Sequence, residues 1–541
     1  MRSAARRLAE AGARLADRPR PVLAALVVVQ LGLTLALTRS VNHNGWLFYQ
    51  GGDQIWYSTS AWLVAHGQIP YAFVGYGWSI LLAPIVALFG PDFVSALPPV
   101  VLLNVLVLGP IVTLCIYWLA ARVGGRAIGL LAAALWVGLP YAAIPLFVHR
   151  YHDTYVEQVL PQAVGLTAMA DYPSMVAVLV AAVLVVRSLE RRSLDDAVLA
   201  GLFAGFAAGM KPANYLFLLG PALAYLAARH WRSGAAFALA LLPSALALLF
   251  WKERGLGELP ALTLGGAQHL AAGLSLPVAD NYFERLVPLD TDVFAKNMDY
   301  LREFFWSNRV VEWIPIAGTL AVARRSLPLA GLLAGWMFSY VLIKGSAPTA
   351  SIERGDFWRL VMPAFPAFVV LFASIPLLVP GAPRRLRERV GSRVLDRRAL
   401  IAGVAVLGAL PLLVSAVWQA PKTTTRTLVV NGILTPVDPD LRLQAVRDGR
   451  SQRLTWDVDA PGKLFYRVYR EYKGYPAVGC GGKGAARCVL NMQLLATTRE
   501  RSFVDGSPEP GLTYRVGVAA NWIDDSTGGD VFAISEAVRA A

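Results

Sequence analysis

Long apolar runs separated by short polar stretches fill the first three-quarters of the chain, and the last hundred residues switch to a period of two. A run of about 19 apolar residues is long enough to cross ~30 Å of hydrocarbon as a helix. The pattern predicts about eleven spanning helices, over residues 22–38, 97–120, 128–148, 172–186, 197–210, 213–228, 235–251, 310–323, 327–343, 360–379 and 400–418. Residues 78–89 (WSILLAPIVALF) are apolar but short for a span, so a re-entrant or interfacial segment is expected there.

Composition agrees with a polytopic membrane protein: 541 residues, 56% of them hydrophobic. The net charge of +14 points to topology rather than to nucleic acid, because the basic residues sit in clusters between apolar runs. Arg2/Arg6/Arg7/Arg14/Arg18/Arg20, Arg122/Arg126, Arg187/Arg191/Arg192, Arg229/Arg232, Arg324/Arg325 and the arginines of 384–398 all fall on one side. That side is read as the cytoplasm, with a cytoplasmic amino terminus and an uncleaved first span in a multi-pass plasma-membrane protein. The expected organisation is a basic segment 1–20, a membrane domain 21–420 with outer loops 39–96, 149–171, 252–309 and 344–359, a linker 421–435 and an extracytoplasmic domain 436–541. In the third loop Phe294, Met298, Leu301 and Phe305 recur at helical spacing, which suits a helix lying flat in the membrane interface.

Beyond residue 435, LTWDV, LFYRVY and YRVGV alternate between Asp/Gly/Pro turns and predict short antiparallel strands of a sandwich. These segments resemble a fibronectin type III domain: Trp456 looks like the core residue of its second strand and Tyr514 like its corner tyrosine. The resemblance implies a fold that binds, spaces or stabilises. Cys115 lies within a span and reads as a packing residue, whereas Cys480 and Cys488 bracket CGGKGAARC and suit a disulfide in an oxidising compartment.

The chemistry is expected in the outer loops. GGDQIWYSTSAWLVAHGQIPY (51–71) puts one carboxylate, Asp53, where a bilayer should end. On a helix Asp53, Tyr57 and Ser60 share a side, with the acid facing an aqueous cleft. Asp53 also fits a helix N-cap, and that role is compatible with a functional one. Lys211, Lys344, Arg354 and Arg359 lie at outer span ends, as phosphate-binding cations or as snorkelling interfacial ones. His149, Arg150, His152 and Asp153 form a dense polar cluster, either a solvated loop or ligand-type groups lacking a firm third partner. Asp171 reads as a helix cap or as a contact to the acceptor.

In order along the chain, Asp53, Tyr57, Ala61, Gly67, Pro70 and Tyr71, then AGLFAGFAAGMKPANYLFLL, then DFWRLVMPAFPAF, resemble the GT-C superfamily of membrane glycosyltransferases, which includes protein O-mannosyltransferases and aminoarabinose transferases. The resemblance covers about residues 20–420 and implies an inverting transfer from a polyprenyl-phosphate-linked sugar to an acceptor hydroxyl, with Asp53 as general base, on a glycan, lipid or protein at the bilayer surface. Tyr57, His149, Arg150, His152, Asp153 and Asp171 are the implied donor or acceptor contacts. Gln54 stands where many relatives carry a second acid, so a bound Mg2+ or Mn2+ would rest on Asp53 and the donor phosphate. The competing readings are a lipid or glycan transporter, and an inactive bundle serving as an assembly protein through its β-domain.

Overall fold

A computed structural model describes residues 17–37, 43–44, 47–48, 54, 57, 60–61, 64–65, 74–89, 93–144, 148, 151, 155, 159–256, 287, 289–304, 308–348, 350–353, 355–379, 426–430, 433–437, 441–457, 465–471, 492–519, 531–535 and 537–540. The expected span at 400–418 lies outside them.

The ten other expected spans are all helical. They are α1 (Pro19–Leu37); α3 (Phe93–Leu102), which runs through a π-turn (Leu103–Leu108) into α4 (Gly109–Gly124); α5 (Arg126–Ala142); α6 (Asp171–Arg191); and α7 (Leu194–Met210). A 3-10 segment (Pro212–Leu218) leads into α8 (Leu219–Ala228), followed by α9 (Trp231–Leu256), α11 (Asn308–Ala323), α12 (Leu327–Gly345), and α13 (Asp356–Val361), which continues through a 3-10 turn into α14 (Phe365–Ser374). Among the described residues, 6 helices are long and apolar enough to cross a membrane, fewer than the sequence pattern predicts. Two of the shorter helices have local features that bear on this. Two acids, Asp195 and Asp196, occupy the first turn of α7 behind its Ser193 cap, and Pro212 breaks the chain before α8.

The short apolar run is α2 (Tyr76–Phe89), 14 residues, or about 21 Å of helix. Its first turn is buried and its last exposes Leu88 and Phe89. Gly75 and Gly77 let this buried start press onto the end of α7: a Cβ on Gly75 would collide with the Gly209 carbonyl oxygen, and one on Gly209 would lie 2.5 Å from the Tyr76 ring. The three nearest atoms to a Gly75 Cβ are all backbone, so no side chain there is free to yield. We expect Gly75→Ala to cost about 1–3 kcal/mol by overpacking, read as a lower thermal midpoint in detergent, while Gly138→Ala, with open space around it, should leave the midpoint in place.

α10 (Thr291–Phe304) carries the apolar stripe of the third loop. Leu301 belongs to the helical core, Met298 packs against it and Phe294 lies against Leu342 and Ile343 of α12, so these three face protein, which corrects their assignment to the membrane interface; Phe305 lies outside the described residues. Asn297, buried on the same side, donates to the Gly345 and Ala350 carbonyls, both at 2.9 Å, and accepts from the Ile352 amide at 3.3 Å. A polar side chain inside the apolar stripe thereby ties α10 to the turn that follows α12.

β1 (His43–Asn44) and β2 (Leu47–Phe48) form a short antiparallel pair. Near the carboxyl end, two antiparallel sheets share one core. One has the order β5 (Gln444–Asp448), β6 (Ser451–Thr455), β9 (Ser502–Asp505); the other has β11 (Val531–Ile534), β10 (Thr513–Ala519), β7 (Phe465–Glu471), β8 (Met492–Thr498), with β12 (Val538–Arg539) also pairing with β10. Leu454 and Trp456 from the first side meet Tyr466, Val468, Tyr514 and Val516 from the second. Within and just beyond the expected linker 421–435, β3 (Arg426–Val430) and β4 (Ile433–Val437) form an antiparallel hairpin, as the β-branched residues of TLVV and ILTPV favour.

Tyr514 donates to Asp505 at 2.7 Å, and Asp505 also pairs with Arg470 at 2.8 Å and accepts from the Ser507 amide at 2.9 Å. Burial, followed by the bond to Asp505, pushes the Tyr514 hydroxyl far above the ordinary tyrosine range, so it remains a donor under all ordinary conditions. Removing it in Tyr514→Phe should cost about 1.5–3 kcal/mol, as for a hydrogen bond to a charged group, measured by urea unfolding followed through Trp456.

Candidate functional site

Three helix ends meet at one ion cluster. Lys211 precedes Pro212 and therefore adopts an extended conformation (φ −140°, ψ 107°), which ends α7 and turns the lysine away from the helix axis. Its ammonium is ion-paired and hydrogen-bonded to the Asp171 carboxylate. Arg359, from α13, places its Nε 3.8 Å from the same carboxylate, an ion pair without a hydrogen bond. The Asp171 side chain is 3% exposed, against 13% for Lys211 and 20% for Arg359. The anion is thus sealed in, while both cations keep an open edge.

The two sequence readings of Asp171 are now separable. It is the first residue of α6, but Ala170 occupies the cap position and no side-chain capping bond is made. Its carboxylate serves the cations instead.

The turn leading to Asp171 is held by side chains from three elements. The Ala168 amide donates to Gln54 Oε1 at 2.9 Å, Trp78 donates to the Ala168 carbonyl at 2.8 Å, and Asn104 in the π-turn donates to the Gly165 and Thr167 carbonyls, both at 3.1 Å. Tyr57 donates to the Met210 carbonyl, one residue before Lys211, at 3.2 Å. Tyr57 and Ser60 are buried at 6% and 0% exposure, so they face protein rather than an aqueous cleft. This corrects the side assigned to them: the face shared with Gln54 is the packed one. Arg359 is seated in turn by its neighbour Trp358, which donates to the Tyr151 hydroxyl at 3.0 Å, while Tyr151 donates to the Ile352 carbonyl and stacks on Phe304 with centroids 4.5 Å apart.

Within a few residues of Lys211 along the chain begins an apolar cavity of about 500 Å3, lined by Tyr215, Leu216 and Leu219, by Leu342 and Ile343 of α12, and by Phe294 of α10. Lys344 is buried at the end of α12, on the helix that lines this cavity. The described ion pairs of Asp171 are with Lys211 and Arg359. Asp53, His149, Arg150, His152, Asp153, Arg354, Cys480 and Cys488 lie outside the described residues.

No protein-family model matches the chain. Nor does any curated protein sequence. Among solved structures, it is similar to the archaeal oligosaccharyltransferase of Archaeoglobus fulgidus. With that enzyme in complex with an inhibitory peptide and a dolichol-phosphate, identity is 14% and the TM-score 0.38, over 73% of this chain and 55% of that one. The apo form gives 13% and 0.37, over 73% and 56%. The form tethered to an acceptor peptide gives 14% and 0.39, over 73% and 55%. This chain therefore spans about half the length of the structures it matches.

Among the described residues, no three His, Cys, Asp or Glu side chains gather to hold a metal. Asp171 is paired with two cations. The expected Mg2+ or Mn2+ would rest on Asp53, which lies outside the described residues. The residues that sequence reasoning missed are the supports: Asn104, Tyr151, Asn297 and the tether made by Gln54. Asn104 alone left a readable signal, as an amide within an apolar run.

Proposed function

We propose that this chain is a membrane glycosyltransferase that moves a sugar from a polyprenyl-phosphate donor to an acceptor hydroxyl on the outer face of the cytoplasmic membrane. The observation that carries the reading is the pair of partly exposed cations, Lys211 and Arg359, drawn together from α7 and α13 close in the chain to an apolar cavity. A charged head and an apolar tail are the two parts of a lipid phosphate. Outside the cytoplasmic membrane, a sugar must arrive already activated, and a lipid-borne phosphate leaving group supplies that activation.

In the reaction the acceptor oxygen attacks the anomeric carbon from the face opposite the phosphate, so the configuration inverts. The anomeric carbon–oxygen bond to phosphate breaks and its electron pair remains on the phosphate oxygen, where preorganised cations stabilise the developing charge. Asp53 takes the acceptor's proton as general base. Gln54, its neighbour in sequence, is tethered three residues from Asp171, which supports grouping base and cations at one site. Lys344 and Arg354 are further phosphate ligands on this reading, and Tyr57 acts by positioning Met210 and Lys211 rather than by touching substrate. The β-domain, read as fibronectin type III-like with the Cys480–Cys488 disulfide, orients a bulky glycan, lipid or protein acceptor.

Proteoliposomes holding the purified chain and a labelled polyprenyl-phosphate sugar test the reading. Formation of a new glycosidic bond is expected; movement of intact lipid-linked sugar across the bilayer without bond formation would overturn it in favour of transport.

A further inference from the structure

Two arginines occupy backbone positions that favour glycine. Arg192, which ends α6, and Arg229, which ends α8, both sit in the left-handed region, at φ 54° and 55°. A Cβ there crowds the following carbonyl oxygen, which is why glycine is the usual residue just past a helix end. At Arg229 the bonds follow that pattern: its amide donates to the Leu226 carbonyl and the His230 amide to the Tyr225 carbonyl, both at 3.0 Å.

The two helix ends adjoin. Ser188 in the last turn of α6 meets Tyr225 in the last turn of α8, hydroxyl to hydroxyl at 2.7 Å, and an arginine follows four residues after each. Both arginines are exposed, and among the described residues neither has an ion-pair partner. Glu190 pairs with Arg122 at 3.6 Å and Asp196 with Arg187 at 3.0 Å; the other acid within residues 187–234 is the exposed Asp195.

Membrane topology and the helix dipole both favour positive charge at this end, but an arginine one residue away supplies it without the backbone cost, and Arg191 and Arg232 already do. A strained residue kept at two adjoining ends calls for a contact of its own. Two residues after Arg229, Trp231 is 63% exposed at the start of α9, and on α8 the exposed Leu226 and Leu223 lead back from the arginine. α6 and the first part of α9 are each long and apolar enough to cross a membrane, so these ends fall at headgroup depth. They lie at the far end of the 21-residue α6 from Asp171, about 30 Å along the helix. We propose that Arg192 and Arg229 together bind the phosphate of an anionic phospholipid in the leaflet at this end, with Trp231 and the α8 leucines beside its acyl chains. Guanidinium donors match phosphate oxygens, and basic groups between spanning helices recognise anionic headgroups.

Native mass spectrometry and thermal midpoints of the full-length protein in detergent, with phosphatidylglycerol or phosphatidylcholine added, test the site. The parent is expected to bind phosphatidylglycerol in preference and to gain midpoint from it. Arg192→Gly/Arg229→Gly relieves both left-handed positions, so its midpoint without lipid should equal or exceed the parent's. Its preference for phosphatidylglycerol should fall by about tenfold or more, at roughly fivefold per arginine. Arg126→Ala/Arg325→Ala, which removes the same charge from other span ends on that side, should keep the preference. Four results overturn the proposal: no preference in the parent, a preference retained by the glycine variant, an equal loss in the alanine control, or the same midpoint gain from inorganic phosphate. If the glycine variant does not survive purification, Arg192→Asn/Arg229→Asn tests the same point, since asparagine also tolerates the left-handed conformation. Sugar transfer is read in none of these arms, so failure here leaves the donor reading standing.

Discussion

Asp53→Asn is expected to reduce sugar transfer by about 10²–10⁴-fold, the range over which a positioned general base contributes. The substitution keeps the size and the helix-start preference of the side chain but replaces a carboxylate with an amide too weakly basic to take the acceptor's proton. Donor affinity should stay within a fewfold of the parent, because on the proposed reading the cations around Asp171, and not the base, hold the phosphate. That split is the informative part: a collapse of turnover with donor binding intact identifies Asp53 as acting on the acceptor. Equal transfer by Asp53→Asn and the parent would remove it from this role. Loss of both together would signal damage to the fold, and a thermal midpoint would show it.

Lys211→Met carries the second large effect, on binding. Methionine preserves most of the aliphatic stem, so packing at the end of α7 is little disturbed. Truncating one member of a buried, hydrogen-bonded charge pair typically costs about 2–5 kcal/mol, which in a phosphate site means a loss of donor affinity of roughly 30-fold or more. Stability should fall as well, since Asp171 retains only its 3.8 Å pair with Arg359. Supplying a phosphate-free analogue such as farnesol distinguishes the two consequences: its binding depends on the apolar cavity and should be equal in parent and variant.

The fold was legible wherever one physical signal dominated. Apolar runs of about twenty residues have few alternatives to a helix once they meet lipid, so ten of the expected spans appear as helices near the predicted places. Period-two alternation around Trp456, Tyr466 and Tyr514 likewise identifies residues that prove to share one core. The errors came where two causes produce the same pattern. An apolar stripe on a polar helix suits either a membrane surface or a neighbouring protein face, and only the Asn297 contacts to Gly345, Ala350 and Ile352 decide for the latter in α10. Helical periodicity groups Tyr57 with Ser60 correctly but leaves open which side is wet, and both are buried.

At the site itself, Lys211 and Arg359 were visible as cations in apolar surroundings, which are costly and so call for an explanation. Their convergence was not visible, because residues 171, 211 and 359 are joined by the packing of α6, α7 and α13 rather than by spacing in the chain. Asp171 stood undecided between cap and contact for the same reason: N-cap chemistry depends on neighbouring residues alone, and an ion pair 40 residues away leaves no local mark.

The claim on which the account turns is that these cations hold a lipid phosphate. Mass spectrometry of the lipid retained by the purified protein tests it most directly, with Lys211→Met purified in parallel. The account predicts a polyprenyl phosphate or its sugar diester bound to the parent and strongly depleted in the variant. Recovery of bulk phospholipid alone from both proteins, even after the parent has been incubated with a polyprenyl phosphate, would contradict it.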